Sequence, residues 1–225
     1  MKNFLSFFAA ALMTVSLSAA DKNAFSDKMT EEAIKEVCQA VSNWQIDNFG
    51  NVKHNLLGWH NGALYIGMYN WAEYGQDAKA AEFLMAIGDK HKWGLASRSY
   101  HADDICVGQM YIEMYKKHKK NKMIQPLKER AFYVASHPSD APLSKNDKVG
   151  KDTRWSWCDA LFMAPPVYAG LYTLTGEQVY KDYLMSEYKA CTDSLYDHAE
   201  SLYYRDCKRI GLQEANGAKQ FWGRG

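Results

Sequence analysis

Three apolar segments beginning near Trp59, Asp103 and Trp157 alternate with three that carry Lys and Glu at intervals, beginning near Ala78, Met123 and Glu177. The first kind is apolar nearly all round, which predicts helices buried on both sides; the second has one charged face and reads as surface helices. Helices are expected over 59–74, 78–91, 103–118, 123–136, 155–174 and 177–196. An earlier one over 29–46 has Thr30 as its N-cap and acids in its first turn. The buried starts lie about 44 and 54 residues apart, a repeat in the sense of stacked helical hairpins. Inner helices wrapped by outer ones describe an all-α toroid, (α/α)6 when six hairpins close the ring. Three hairpins are half of that. The chain, which stops at 221-FWGRG-225, is therefore expected to be the N-terminal part of one such domain, spanning residues 21–225. Pro165-Pro166 should kink or unwind the third buried helix. The only strand signal is 202-LYYRDCKR-209, with a partner expected at 219–222 after the Asn216-Gly217 turn.

Residues 1–20 read as a removable leader. Lys2 gives a positive start, Phe4 to Leu17 an apolar run, and Ser18-Ala19-Ala20 a cleavage site. The expectation is an exported protein, periplasmic or secreted, with no membrane attachment after cleavage. A formal charge of +1 leaves no electrostatic case for a nucleic-acid partner, and the one basic run, 116-KKHKKNK-122, reads as a solvated helix end and turn. Five cysteines at spacings that match no metal or redox pattern read as small hydrophobes at Cys106 and Cys158, with a Cys191–Cys207 disulfide as an option.

The segment 154-RWSWCDALFMAPP-166 carries the chemical question. From Trp155 to Leu174 its only carboxylate or basic side chain is Asp159, set among Trp155, Trp157, Leu161, Phe162 and Met163. A charge so placed is costly unless it is paired or the group stays protonated. Asp159 is thus either a structural acid paired with Arg154 or His60, or a general acid. The other polar residues gather at the starts of the buried helices, in 59-WHNG-62 and 101-HADD-104. In a toroid these ends meet at one mouth, where helix N-termini favour an anionic ligand. Trp59, Trp155 and Trp157 could be core aromatics or platforms for pyranose rings, and His60 a core histidine or a ligand contact. One of Asp103 and Asp104 reads as a helix cap. No metalloprotease, serine-hydrolase, nucleotide or dinucleotide motif is present, and His54, His60 and His101 lack metal-site spacing. No metal or cofactor is expected.

The series WHNG, HADDICVGQMYIEMY, RWSWCDALFMAPPVYAGLYTLTG and FWGRG resembles glycoside hydrolase family 105 and its relative family 88, over Trp59 to Gly225. These are the unsaturated rhamnogalacturonyl and glucuronyl hydrolases, six-hairpin (α/α)6 enzymes. They remove a terminal 4,5-unsaturated uronic acid from oligosaccharides, here expected to be pectin-derived. The resemblance implies Asp159 as general acid and Asp103 as the second aspartate, leaving Asp104 as the cap. It implies substrate contacts by Trp59, His60, Asn61 and Trp157, with Trp222 and Arg224 near the uronate. Arg205 stands where relatives often carry His, which implies a different grip on the uronate or a different substrate. The implied reaction departs from the two-carboxylate template of ordinary glycosidases: Asp159 protonates C4, water adds at C5, and the hemiketal opens. Burial by Trp157, Phe162 and Met163 would favour the neutral acid that this step needs. The rivals are a lyase or inverting glycosidase on the same toroid, and a non-catalytic exported carbohydrate-binding protein.

Overall fold

Apolar side chains at helical spacing decide most of the architecture. The computed structural model describes residues 25–143 and 152–223; the leader, the expected cleavage site and Arg224 lie outside the described residues. Thr30 caps α1 (Glu31–Asp47), its hydroxyl accepting from the Ala33 amide. The first hairpin is α2 (Trp59–Tyr74) and α3 (Ala78–Lys90). Asp77 caps α3 and also accepts from Gln39, Ser42 and Trp71, so one carboxylate ties three helices together. Burial alone would push Asp77 up, but these donors outweigh it and hold the carboxyl below its ordinary value.

The second hairpin is α4 (Ala102–Ile105), α5 (Gly108–His118) and α6 (Gln125–Ser136); the third is α7 (Ala160–Met163), α8 (Pro165–Thr175) and α9 (Gln178–Leu195). α2, α5 and α8 pack side by side as an inner row, α3 and α9 lie against their own inner partners, and α6 packs on α9. This alternation is the one the sequence predicts. The core between the rows is aromatic: Trp93, Trp155, Tyr65, Tyr111 and Tyr180 are fully buried, together with Leu84, Leu127 and Leu171. Each such aliphatic side chain contributes about 1.5–3 kcal/mol by leaving water.

Two expected helices are broken, and both breaks lie at the mouth. The segment expected as 103–118 divides at Cys106-Val107, where Gly62 of α2 comes so close that a Cβ there would sit 2.9 Å from the Val107 nitrogen. The one expected as 155–174 does not start at Trp155. Residues 155–159 are held out of the helix because the Cys158 amide donates to the Arg205 carbonyl at 2.9 Å and Trp157 pairs with Asp206. Pro165 and Pro166 then separate α7 from α8, sitting in the first turn of α8 where a missing N–H costs nothing.

The strand pairing differs from expectation. Leu202–Tyr203 pairs antiparallel with Tyr196–Asp197, not with 219–222. The Asn216-Gly217 turn forms as expected, with Gly217 at φ 82°, but it closes a single bridge between Gln213 and Lys219. The expected burial on both sides holds for α5, which buries Gly108 through Ile112 and Met114, whereas α2 and α8 are buried along one stripe: α8 buries Val167, Tyr168 and Leu171 only. All five cysteines are free thiols. Cys191 donates to the Trp157 carbonyl and Cys207 to the Leu143 carbonyl, so the optional disulfide is absent. No helix among the described residues is long and apolar enough to cross a membrane.

Candidate active site

The breaks in the inner helices bring their polar starts together. A cavity of about 280 Å³ is lined by Trp59, Arg98, His101, Asp103, Arg154, Ser156, Trp157 and Asp159. Asp159 occupies the N-cap position of α7 but makes no capping hydrogen bond, so its carboxyl is turned to other use. It also borders an adjoining cavity of about 430 Å³ walled by Leu161, Phe162, Met163, Tyr188 and Tyr203. The second carboxylate, Asp103, lies in the first turn of α4, with its Oδ2 3.6 Å from Nη2 of Arg98.

His101 caps α4: its Nδ1 accepts from the Asp103 amide at 3.2 Å. A ring nitrogen that accepts carries no proton, so the 3.6 Å approach of Nδ1 to the Asp103 carboxylate is not an ion pair. Burial drives His101 below its ordinary value; Asp103 opposes this and Arg98 adds to it. The ring is therefore neutral at neutral pH.

Asp104 is not the cap. It is buried and accepts from the Arg98 amide at 2.8 Å, from Nε at 3.1 and 3.2 Å and from Nη2 at 2.6 Å. This clamp fixes the 98–104 loop and sets Arg98 on the cavity wall. Arg154 is held in the same manner. Its Nε donates to both oxygens of Glu187 at 2.8 and 2.9 Å, and its Nη1 to the Ala141 carbonyl at 2.8 Å. Arg154 is thus committed to Glu187 rather than to Asp159.

The remaining sequence-derived residues divide. Trp59 and Trp157 line the cavity, whereas Trp155 is core, packed against Tyr168 and Tyr183. His60 stands behind Trp59, its ring stacked on those of Trp59 and His54 at 3.7 and 3.9 Å. Asn61 is a correction: it is buried and donates to the Asn55 carbonyl at 2.9 Å, bracing the entry to α2 rather than facing the cavity. Trp222 meets Trp157 edge-on at 5.8 Å. Arg205 lies over the Trp157 ring at 4.4 Å, anchored by Asp206 at 2.8 Å. Arg205 and Trp222 border a neighbouring cavity of about 290 Å³ with Arg209 and Gln220. Arg98 and Glu187 belong to the site without having stood out in the sequence. Among the described residues no three His, Cys, Asp or Glu side chains converge as a metal site would require.

Comparison with known proteins decides the family. The profile of Glycosyl Hydrolase Family 88 matches residues 25–225. The chain belongs to this family. Within family 88 it is 29% identical over 216 residues to an unsaturated 3S-rhamnoglycuronyl hydrolase of Alteromonas sp. (strain LOR), covering 87% of this chain and 52% of that protein. A protein of the same name from Formosa agariphila is 33% identical over 176 residues, covering 74% of this chain and 47% of that one. The chain thus spans about half the length of the curated relatives it matches. The fold is that of the six-hairpin glycosidases. A family 88 glycosyl hydrolase from Bacteroides vulgatus superposes with a TM-score of 0.66 at 21% identity, covering 84% of this chain and 56% of that one. A solved polysaccharide lyase superposes with a TM-score of 0.72 at 22% identity, covering 85% and 55%. At such identities the likeness speaks for the fold alone.

Proposed function

We propose that this family 88 chain supplies the catalytic half of a glycosidase that removes a terminal 4,5-unsaturated uronic acid from an oligosaccharide. One observation carries the reading: Asp103 and Asp159 share a single cavity with Trp59, Trp157 and two arginines. Flat indole faces suit a pyranose ring, and two carboxyl groups beside it suit proton transfer. The names of both curated relatives support an unsaturated uronate attached to rhamnose. A pectic origin for the oligosaccharide, and export directed by residues 1–20, rest on the sequence alone.

In the proposed reaction Asp159 gives its proton to C4 of the enol ether, leaving positive charge shared between C5 and the ring oxygen. Water adds at C5 as the Asp159 carboxylate takes its proton. The C5 hemiketal opens, and the resulting hemiacetal at C1 expels the rest of the chain as an alcohol. Asp103, steadied by Arg98, sets its carboxylate beside the developing cation.

The test follows the ultraviolet absorbance of the conjugated double bond. The full-length protein should abolish it in unsaturated oligosaccharides and create none from an intact uronan. A rise in absorbance from the intact polymer would mark a lyase, and saturable binding without any change would mark a carbohydrate-binding protein.

A further inference from the structure

Two arginines reach the cavity, and both are built in one manner. Arg98 spends Nε and Nη2 on the buried Asp104, and Arg154 spends Nε on the buried Glu187 and Nη1 on the Ala141 carbonyl. The acids behind them are 5% and 3% exposed, so each guanidinium is gripped at its back by an ion that solvent scarcely reaches. That leaves Nη1 of Arg98 and Nη2 of Arg154 with no hydrogen-bond partner among the described residues, on side chains that both line the same 280 Å³ cavity. Holding an arginine this firmly removes most of the entropy it would lose on binding, and leaves N–H groups aimed in fixed directions.

We infer that Arg98 and Arg154 form a paired carboxylate clamp, and that it is this pair which holds the anionic group of the sugar in the cavity. The inference rests on the proposed function, and it names the recognition element of that site. Two planar guanidinium groups suit a carboxylate, which accepts through both oxygens. The charge balance fits a directional role. Asp104 and Glu187 neutralise the two arginines, and Asp103 and Asp159 also face the cavity, so the wall presents oriented donors rather than excess positive charge. Selection should therefore fall on the geometry of the ligand's acid group. Arg205 differs: it is spread over the Trp157 ring and paired with its neighbour Asp206, beside a separate cavity. Its work is to hold the indole wall.

The experiment separates this from catalysis by using a ligand that cannot react: a disaccharide ending in a saturated uronic acid, and its methyl ester. Calorimetric titration of the full-length wild type should favour the free acid over the ester by about tenfold or more, the worth of one or two charge-assisted hydrogen bonds. Arg98→Gln and Arg154→Lys should each lose most of that preference while binding the ester within about threefold of wild type. Arg154→Lys keeps the charge facing Glu187, and a helical spectrum with a cooperative melt, lowered in Arg98→Gln because Asp104 loses its partner, would show that both variants fold. Equal affinity of wild type for acid and ester, or equal loss of both ligands in the variants, would overturn the clamp. Should the wild type discriminate by charge yet never consume the unsaturated substrate, the clamp stands and the hydrolase reading falls. Hydrolysis with no such discrimination would keep the hydrolase and remove the clamp.

Discussion

Asp159 and Asp104 are both carboxylates at the start of a short helix in the mouth, yet their surroundings give them different work. Asp159 borders two cavities and does not cap its helix, so Asp159→Asn should lower turnover by ~10²-fold or more, the scale of general acid catalysis. Asp104 is buried against Arg98 by four hydrogen bonds. Asp104→Ala should cost about 3 kcal/mol in urea unfolding, because it strands a guanidinium half in protein; a loss near ~1 kcal/mol would restore the capping role. His101 makes stability depend on pH. Its folded value lies below the ordinary 6.5, so the unfolded chain takes up a proton that the folded one resists. Stability is then complete above pH ~6.5 and falls as the pH drops towards the folded value. Urea midpoints measured across that range should decline, and less so in His101→Asn, which keeps a capping acceptor without the titration. Asp103, Asp159, Trp59 and Trp157 were legible in the sequence as isolated polar or aromatic marks at helix starts. Arg98 and Glu187 left fainter ones. Arg98 is the only Lys or Arg between Lys92 and Lys116, and Glu187 breaks the apolar stripe Tyr183–Cys191 at a spacing of four. Each acquires meaning only through a partner 6 or 33 residues away.

The helices themselves were readable because burial repeats with the helical period, and their ends fell within two residues for 78–91, 123–136 and 177–196. The two broken helices depart from the pattern for a reason local periodicity does not hold. Residues 155–159 are apolar enough for a helix, but their backbone is engaged by the Arg205 carbonyl, which arrives from far along the chain. The break between α4 and α5 depends likewise on Gly62 of another hairpin. A methyl group at Gly62 would meet the Val107 nitrogen at 2.9 Å and the Cys106 sulfur at 3.0 Å, so relief requires moving backbone. Gly62→Ala should therefore cost about 1–3 kcal/mol. Gly50, with nothing within 4 Å of its Cβ position, is the matched control and should change melting little when made Ala. Equal behaviour of the two variants would show that the hairpins do not meet as closely as described.

At the scale of the molecule, apolar side chains remain in water on α1, at Ile34, Val41 and Trp44, and on the third hairpin, at Phe162, Met185 and Tyr188. Apolar side chains exposed in this way favour association. Residues 21–225 alone should bind an apolar fluorescent dye strongly, and Val41→Lys with Trp44→Lys should weaken that signal without loss of helicity. The row of inner and outer helices was foreseeable from the alternation of charged and uncharged segments, since a repeat needs neighbours to bury its faces. The meeting of three helix starts around one cavity joins that architecture to the chemistry, and it can be tested in one run. Unsaturated uronyl oligosaccharide is given to the full-length enzyme and to Asp159→Asn, with double-bond absorbance and released saccharide followed together. In the wild type the absorbance should vanish in step with release, and in the variant neither should occur. Saccharide freed while the double bond stays intact, or a variant as fast as wild type, would contradict protonation of C4 by Asp159.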